Sequence, residues 1–260
     1  LFPYTTLFRS GEIFLMPEIL QVFEEIPDCL ASITITTNGT ILPKDQKIFM
    51  LLRRIQALRV SVEGHTDIEN ELIRGIGLTD VLNNTKRFYE ENIPVWLRIT
   101  LNRVNYHDII NKTLPYFIDK GFRNIQIYEF QAVGRGYDNS KDFSLNYPLK
   151  EMFMSLVNNG VYKNAHVKIM LPKKRISEAE SYREKLNARG IKVRQLVPEE
   201  GVSIHSDGNV FICPWENDLQ KALFNIREFS YGMWPDLLKQ HKLIHDCDHC
   251  SAVIIESGGA

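Results

Sequence analysis

The sequence predicts an α/β fold with parallel strands, followed by a small cysteine-containing C-terminal α+β module. Three observations carry this expectation. Between residues 17 and 136 strand-like and helix-like segments alternate singly, and strands joined by single helices build right-handed β-α-β units. Polar side chains gather where the strand-like runs stop: Thr37 and Asn38, Ser61 and Glu63, Asn102 and Arg103, and Gln131. In a parallel sheet that carboxyl edge is where ligands bind. Three of the four cysteines fall within the last 48 residues, a clustering that in a reducing compartment favours metal over disulfides.

The elements follow in order. Ile19, Leu20, Val22, Phe23 and Ile26 recur at helical spacing, and the β-branched run Ile33-Thr34-Ile35-Thr36-Thr37 reads as a strand ended by Asn38-Gly39. Residues 44–56 predict an amphipathic helix, 58–62 a strand, and 78–92 a helix with Thr79 or Asp80 as its cap. Residues 94–101 and 124–130 are further strands, separated by a helix over 108–120 that Gly121 closes. Beyond Gly136 come a helix over 149–159, an isolated strand at 166–171 and a charged helix over 176–189. A hairpin is expected next, with strands 202–205 and 210–213 around Ser206-Asp207-Gly208-Asn209.

Composition narrows the function classes. With 44% hydrophobic and 24% charged residues the 260-residue chain is ordinary globular material, neither disordered nor fibrous. Thirty-one basic against thirty-two acidic side chains give a net charge of −1, so no global field draws it to nucleic acid or anionic membrane. No run approaches the roughly 18 apolar residues of a membrane span, and no segment reads as a signal peptide. A cytoplasmic protein is expected.

Residues 1–10, LFPYTTLFRS, resemble the in-frame translation of a common sequencing-library adapter, and the chain has no initiating Met. The expectation is an artefactual leader over 1–10, a native protein beginning upstream of Gly11, and an N-terminally truncated fragment.

Five motifs occur in order: Gly11-Glu12 before an apolar-Pro-Glu helix start, Thr36-Thr37-Asn38-Gly39-Thr40, Val60-Ser61-Val62-Glu63-Gly64, Thr100-Leu101-Asn102, and Gly134-Arg135-Gly136. Together they resemble the barrel of radical S-adenosylmethionine enzymes. The family's glycine-glycine-glutamate-proline motif corresponds to Ser10-Gly11-Glu12-Ile13, and Glu63 stands where aspartate is commoner. The resemblance implies a partial (β/α)6 barrel lacking its first strands over 11–160, a linking strand and helix over 161–200, and an extension over 201–260.

By the same resemblance the cofactor is S-adenosylmethionine, bound by Gly11, Glu12, Thr37, Asn38, Ser61, Glu63, Arg74 and Asn102. The chemistry of those side chains suits it. An amino acid, a ribose and a sulfonium on one sheet edge need acceptors for ammonium, donors for carboxylate and polar partners for hydroxyls. Glu12 and the Gly11 carbonyl suit the ammonium, Ser61 and Asn102 the ribose or carboxylate, and Arg74 a carboxylate clamp; the alternative for Arg74 is a surface arginine.

The family cleaves this cofactor reductively at a [4Fe–4S] cluster, and the 5′-deoxyadenosyl radical so formed abstracts hydrogen from substrate. An electron donor such as flavodoxin or ferredoxin and a peptide or protein substrate are implied. The cluster is held by a Cys-x3-Cys-x2-Cys loop that this chain lacks, so the resemblance places that loop upstream of Gly11, leaves no catalytic residue in the chain and implies that the chain as given is inactive. Cys29, among apolar neighbours at the end of a helix, reads as a packed core cysteine.

The tail resembles the SPASM extension of peptide-modifying members. Gly208-x4-Cys213, Leu223-Phe224-Asn225-Ile226 with Trp234, and Cys247-x2-Cys250 match, but Glu256 and Ala260 stand where further cysteines are expected. Cys213, Cys247 and Cys250 are therefore candidate ligands of at most one auxiliary cluster, or of a structural zinc completed by a histidine such as His245 or His249, with unliganded thiols as the further alternative. The alternative function is a non-catalytic binding module with a zinc-stabilised tail.

Overall fold

In the computed structural model, residues 6–8, 12–16, 18–25, 27–133, 138, 140–196, 202–205, 207–213, 216, 218–228, 230 and 251–257 are described. Their organising feature is a sheet of eight strands, built from β1 (Thr6–Phe8), β2 (Ile33–Thr37), β3 (Ala57–Ser61), β4 (Val95–Leu101), β5 (Asn124–Glu129), β6 (His166–Pro172), β7 (Ile191–Gln195) and a late strand, Ser251–Ser257. Strands β1 to β6 lie side by side in chain order, and all five of their pairings are parallel. The α/β fold with adjacent parallel strands is as the sequence predicts.

Helices lie between these strands: α1 (Ile19–Glu25), α2 (Gln46–Leu52), α3 (Asp67–Arg74), α4 (Leu78–Glu90), α5 (Leu114–Asp119) after a π turn at Ile109–Thr113, α6 (Ser140–Phe143) and α7 (Lys150–Asn158). The segment 176–189 is divided at Tyr182 into α8 (Ile176–Ser181) and α9 (Arg183–Asn187). Alternation in the strands explains how they pack. Along β4, Val95, Leu97, Ile99 and Leu101 are buried while Trp96, Arg98 and Thr100 are half-buried. The buried set joins Phe23, Leu52, Phe88, Phe117 and Phe153 of the helices in a single apolar core. Burying one such side chain stabilises by about 1.5–3 kcal/mol. The other face of the sheet mixes polar side chains such as Thr36, Arg59, Arg98, Gln126 and Lys168 with the rings of Trp96 and Tyr128.

Four features differ from the sequence reading or add to it. The edge of β2 is paired: Thr6, Leu7 and Phe8 stand opposite Ile33, Thr34 and Ile35, so the sheet continues into the expected leader. The strand at 166–171 is not isolated, because its backbone pairs in parallel with β5 from Asn124↔His166 to Tyr128↔Met170. Helix α3 is an addition that sequence reading passed over; Thr66 caps it in a reciprocal capping box with Glu69. Neither Thr79 nor Asp80 caps α4. Its N-cap is Gly77, and its free N–H groups at Leu78 and Thr79 donate to Asp67 of α3 at 2.6 and 2.8 Å. Those bonds, with the Thr79 hydroxyl, hold the Asp67 carboxyl below its ordinary range.

The hairpin forms between β8 (Ser203–Ile204) and β9 (Asn209–Phe211), and a short β10 (Phe224–Asn225) adds to it antiparallel. Gly208 turns it at φ 89. The late strand β11 (Ser251–Ser257) then enters the large sheet between β6 and β7, antiparallel to both. Glu256, at a position where the resemblance leads one to look for a cysteine, is thereby a sheet residue opposite Lys168 and Lys192.

Candidate functional site

Because β2, β3 and β4 are parallel neighbours, the residues that follow them emerge on one edge: Asn38 after β2, Ser61 and Glu63 at the end of β3, Asn102 after β4. Glu12 approaches this edge from outside the strands. Its carboxylate accepts from the Thr37 hydroxyl at 2.7 Å, the Asn38 backbone N–H at 2.8 Å and the Phe14 N–H at 3.3 Å. These bonds fasten the segment 12–16 onto the mouth of the sheet. Among the described residues Glu12 has no cationic partner, so its charge is held by neutral donors alone and Oε2 retains acceptor capacity.

The turn beneath Glu12 is tightly made. Gly39 adopts φ +75, and a Cβ there would stand 2.7 Å from Val60 Cγ1 and 2.9 Å from Val81 Cγ1, so glycine is required on two counts. The Gly39 N–H donates to the Thr37 hydroxyl at 3.0 Å, and Asn84 donates to the Gly39 carbonyl at 2.9 Å. The Asn38 side-chain oxygen accepts from the backbone and the hydroxyl of Thr40. Thr37 and Asn38 thus shape the edge.

Glu63 is 1% exposed. Arg74 donates to its Oε1 at 2.8 Å, the Thr100 N–H donates to Oε2 at 2.8 Å, and the Thr100 hydroxyl donates to Oε1 at 3.2 Å. Burial pushes the Glu63 carboxyl above its ordinary range, against the opposing pull of Arg74 and Thr100. The carboxylate that Arg74 clamps is therefore the protein's own. Asn102 is likewise engaged: its side chain donates to the Thr100 carbonyl and accepts from the Val104 N–H at 2.8 Å, while Asn105 binds both Asn102 and the Glu63 carbonyl. Of the residues expected to touch a cofactor, Glu63 and Arg74 hold each other, and Asn102 is tied to Glu63 through Asn105. Glu12 stands on the rim and Ser61, 4% exposed, at the end of β3. Gly11 lies outside the described residues.

The edge of β5 is braced by a second buried ion pair. Glu129 accepts from Arg175 through both oxygens, at 2.8 and 3.2 Å, and from Lys174 at 2.9 Å. The same guanidinium donates to the carbonyls of Leu145 and Tyr147, tying the chain before α7 to the sheet.

Sequence reading looked at strand ends and passed over the polar face itself. Register places Thr36, Arg59 and Trp96 in one row across β2, β3 and β4, and Ser61, Arg98, Gln126, Lys168, Glu256 and Lys192 in another. Arg98 lies 4.6 Å over the Tyr128 ring, Lys168 lies 5.0 Å over the Trp96 ring, and His166 meets Trp96 edge-on at 4.9 Å. Glu256 accepts from His166 at 2.7 Å and pairs with Lys168 at 3.2 Å and with Arg194. A signal was present: parallel strands buried on both faces read as continuous apolar runs, whereas Val95–Leu101 alternates.

Cys213 follows β9 and is half-buried. Cys247 and Cys250, with His245 and His249, lie outside the described residues. Among the described residues no three His, Cys, Asp or Glu side chains are grouped to hold a metal, and no helix is long and apolar enough to cross a membrane.

No protein-family model and no curated protein sequence matches the chain. Solved structures do. Native anSMEcpe with bound AdoMet and Kp18Cys peptide is 17% identical over 92% of this chain and 68% of its own, with a TM-score of 0.57. Streptococcus suis SuiB bound to S-adenosylmethionine is 16% identical over 88% of this chain and 53% of its own, at 0.59. SuiB bound to precursor peptide SuiA is 14% identical over 84% of this chain and 52% of its own, at 0.54. The chain has the fold of these radical S-adenosylmethionine enzymes.

Proposed function

We propose that this chain is the S-adenosylmethionine-binding part of a radical S-adenosylmethionine enzyme acting on a peptide or protein. The observation that carries the reading is Glu12: an anionic side chain fixed by Thr37 and Asn38 at the carboxyl edge, with no cation among the described residues to neutralise it. A cofactor ammonium fits that oxygen. Ser61 supplies a hydroxyl on the same edge, and the Glu63–Arg74–Thr100 and Asn102–Asn105 networks keep the edge rigid. The shared fold supports the same reading, since S-adenosylmethionine and peptides are bound in the similar structures.

When bound beside a reduced [4Fe–4S] cluster, the cofactor supplies hydrogen abstraction from substrate. The four cysteines of this chain, Cys29, Cys213, Cys247 and Cys250, offer no Cys-x3-Cys-x2-Cys spacing, so its own residues do not fit that cluster and no cleavage step is assigned to them. We read the cluster loop as belonging to a longer polypeptide of which this is a piece. What these residues do is bind and orient: Glu12 receives the ammonium, and the hydrogen-bonded networks beside it hold the edge in shape.

Calorimetric titration with S-adenosylmethionine tests the reading. Binding is expected, weakened at least tenfold by Glu12→Gln, because the variant keeps the shape but loses the charge. After anaerobic treatment with iron, sulfide and dithionite the chain is expected to release no 5′-deoxyadenosine. Absence of cofactor binding by the unaltered chain would overturn the proposal in favour of a non-catalytic module.

A further inference from the structure

We infer that the polar face of the sheet recognises a carboxylate side chain of a peptide, with Arg59 and Arg98 as the residues that determine this specificity. The inference deepens the function proposed above and rests on it for the choice of a peptide. Three observations converge. The first is charge: register puts five Lys or Arg side chains on this face of the strands, Arg59, Arg98, Lys168, Lys192 and Arg194, against one strand carboxylate, Glu256, while Glu63 just beyond β3 is already paired with Arg74. A chain with a net charge of −1 has concentrated cations on one surface.

The second is the state of Arg59. It is half-buried on β3, and among the described residues it makes no hydrogen bond, ion pair or ring contact. A partly desolvated guanidinium beside Trp96 is electrostatically incomplete, and a planar carboxylate is its natural complement. The neighbouring Thr36, opposite Arg59 in register, has a buried hydroxyl oxygen with no hydrogen-bond partner, a second sign that the polar groups of this row are not satisfied by one another.

The third is geometry. Arg59 pairs with Trp96 and Ser61 with Arg98, so the two arginines are diagonal neighbours on adjacent strands, just below the edge where Glu12 stands. Arg98 is held by its stack on Tyr128, which fixes its direction at little entropic cost. From β3 to β6 the row spans three strand spacings, roughly 14 Å, the length of about four residues of extended peptide. Nucleic acid is the less fitting occupant, because the row is short and the molecule as a whole carries no positive charge.

The test uses the whole chain and two synthetic probes, acetyl-Ala-Glu-Ala-Glu-Ala-amide and its counterpart with Gln for Glu, titrated by calorimetry in 50 mM and 500 mM salt. The Glu peptide is expected to bind at least tenfold more tightly than the Gln peptide, with the margin shrinking at high salt. Arg59→Gln is expected to abolish the margin and Arg59→Lys to keep part of it; Arg98→Gln serves as an independent second variant should Arg59→Gln unfold. Equal binding of the two peptides, no binding of either, a margin unchanged in Arg59→Gln and Arg98→Gln, tighter binding of a single-stranded oligonucleotide, or equal competition by inorganic phosphate would each overturn the inference. Cofactor titration on the same sample separates the two proposals. Cofactor binding without peptide discrimination overturns this inference alone, and discrimination without cofactor binding overturns the proposed function while the carboxylate site stands.

Discussion

Arg74, on the last turn of α3, reaches the end of β3 and donates through Nε to Oε1 of Glu63 at 2.8 Å, with Glu63 only 2% exposed at its side chain and Arg74 27%. The relationship is asymmetric: the carboxylate is buried and the guanidinium keeps access to water. Removing the arginine therefore strands a charge.

Arg74→Met is expected to destabilise the fold by about 2–4 kcal/mol at pH 7. Burial already raises the Glu63 carboxyl above its ordinary value of 4.5, and loss of Arg74 raises it further. For such a group the folded state holds its proton more tightly than the unfolded chain, so stability is full below about pH 4.5 and falls as pH rises through the folded value. Urea unfolding should show the cost of Arg74→Met shrinking toward pH 4.5, and Glu63→Gln in the same chain should recover much of it. A cost independent of pH would mean that Arg74 acts by packing alone.

Glu256 gives the opposite sign. Burial works to raise its carboxyl, but the hydrogen bonds from His166, Lys168 and Arg194 outweigh it and hold the group at about 2. Its contribution is present above pH 4.5 and lost as pH falls toward 2, on the order of 3 kcal/mol over that window. Glu256→Gln should flatten the pH dependence of unfolding between pH 5 and pH 3. Since the bonds join β11 to β6 and β7, hydrogen exchange in β11 should accelerate in the variant; unchanged exchange there would show that the apolar residues of the strand suffice to hold it.

Gly39→Ala combines a left-handed φ with contacts of 2.7 and 2.9 Å to Val60 and Val81. A cost of about 2–4 kcal/mol is expected. The Asn38 N–H that binds Glu12 immediately precedes this residue, so cofactor affinity should fall along with the melting temperature. Glu12→Gln, by contrast, should weaken the cofactor with little change in melting; the two variants separate loss of the turn from loss of the charge.

Local chemistry made a good part of the molecule legible. The β-branched run Ile33–Thr37, the alternation in Val95–Leu101 and the glycines at 39, 121 and 208 dictate strands and turns through sterics and side-chain period, and these formed where expected. The order of strand ends along one edge followed from β-α-β connectivity. Motif order also led to the fold found in the similar solved structures.

Tertiary structure alone decided the partners. Ser251–Ser257 sits between β6 and β7, some 80 residues distant from one and 55 or more from the other, and Thr6–Phe8 joins β2, because backbone hydrogen bonds accept any extended segment and local sequence does not name its neighbour. The same holds for the edge residues. Nothing in the spacing of Glu63, Arg74 and Asn102 reveals that the first two bind each other and that Asn102 is tied to Glu63 through Asn105, while Glu12 carries an uncompensated charge, since a side chain's spare bonding capacity depends on which groups folding has brought within 3 Å of it.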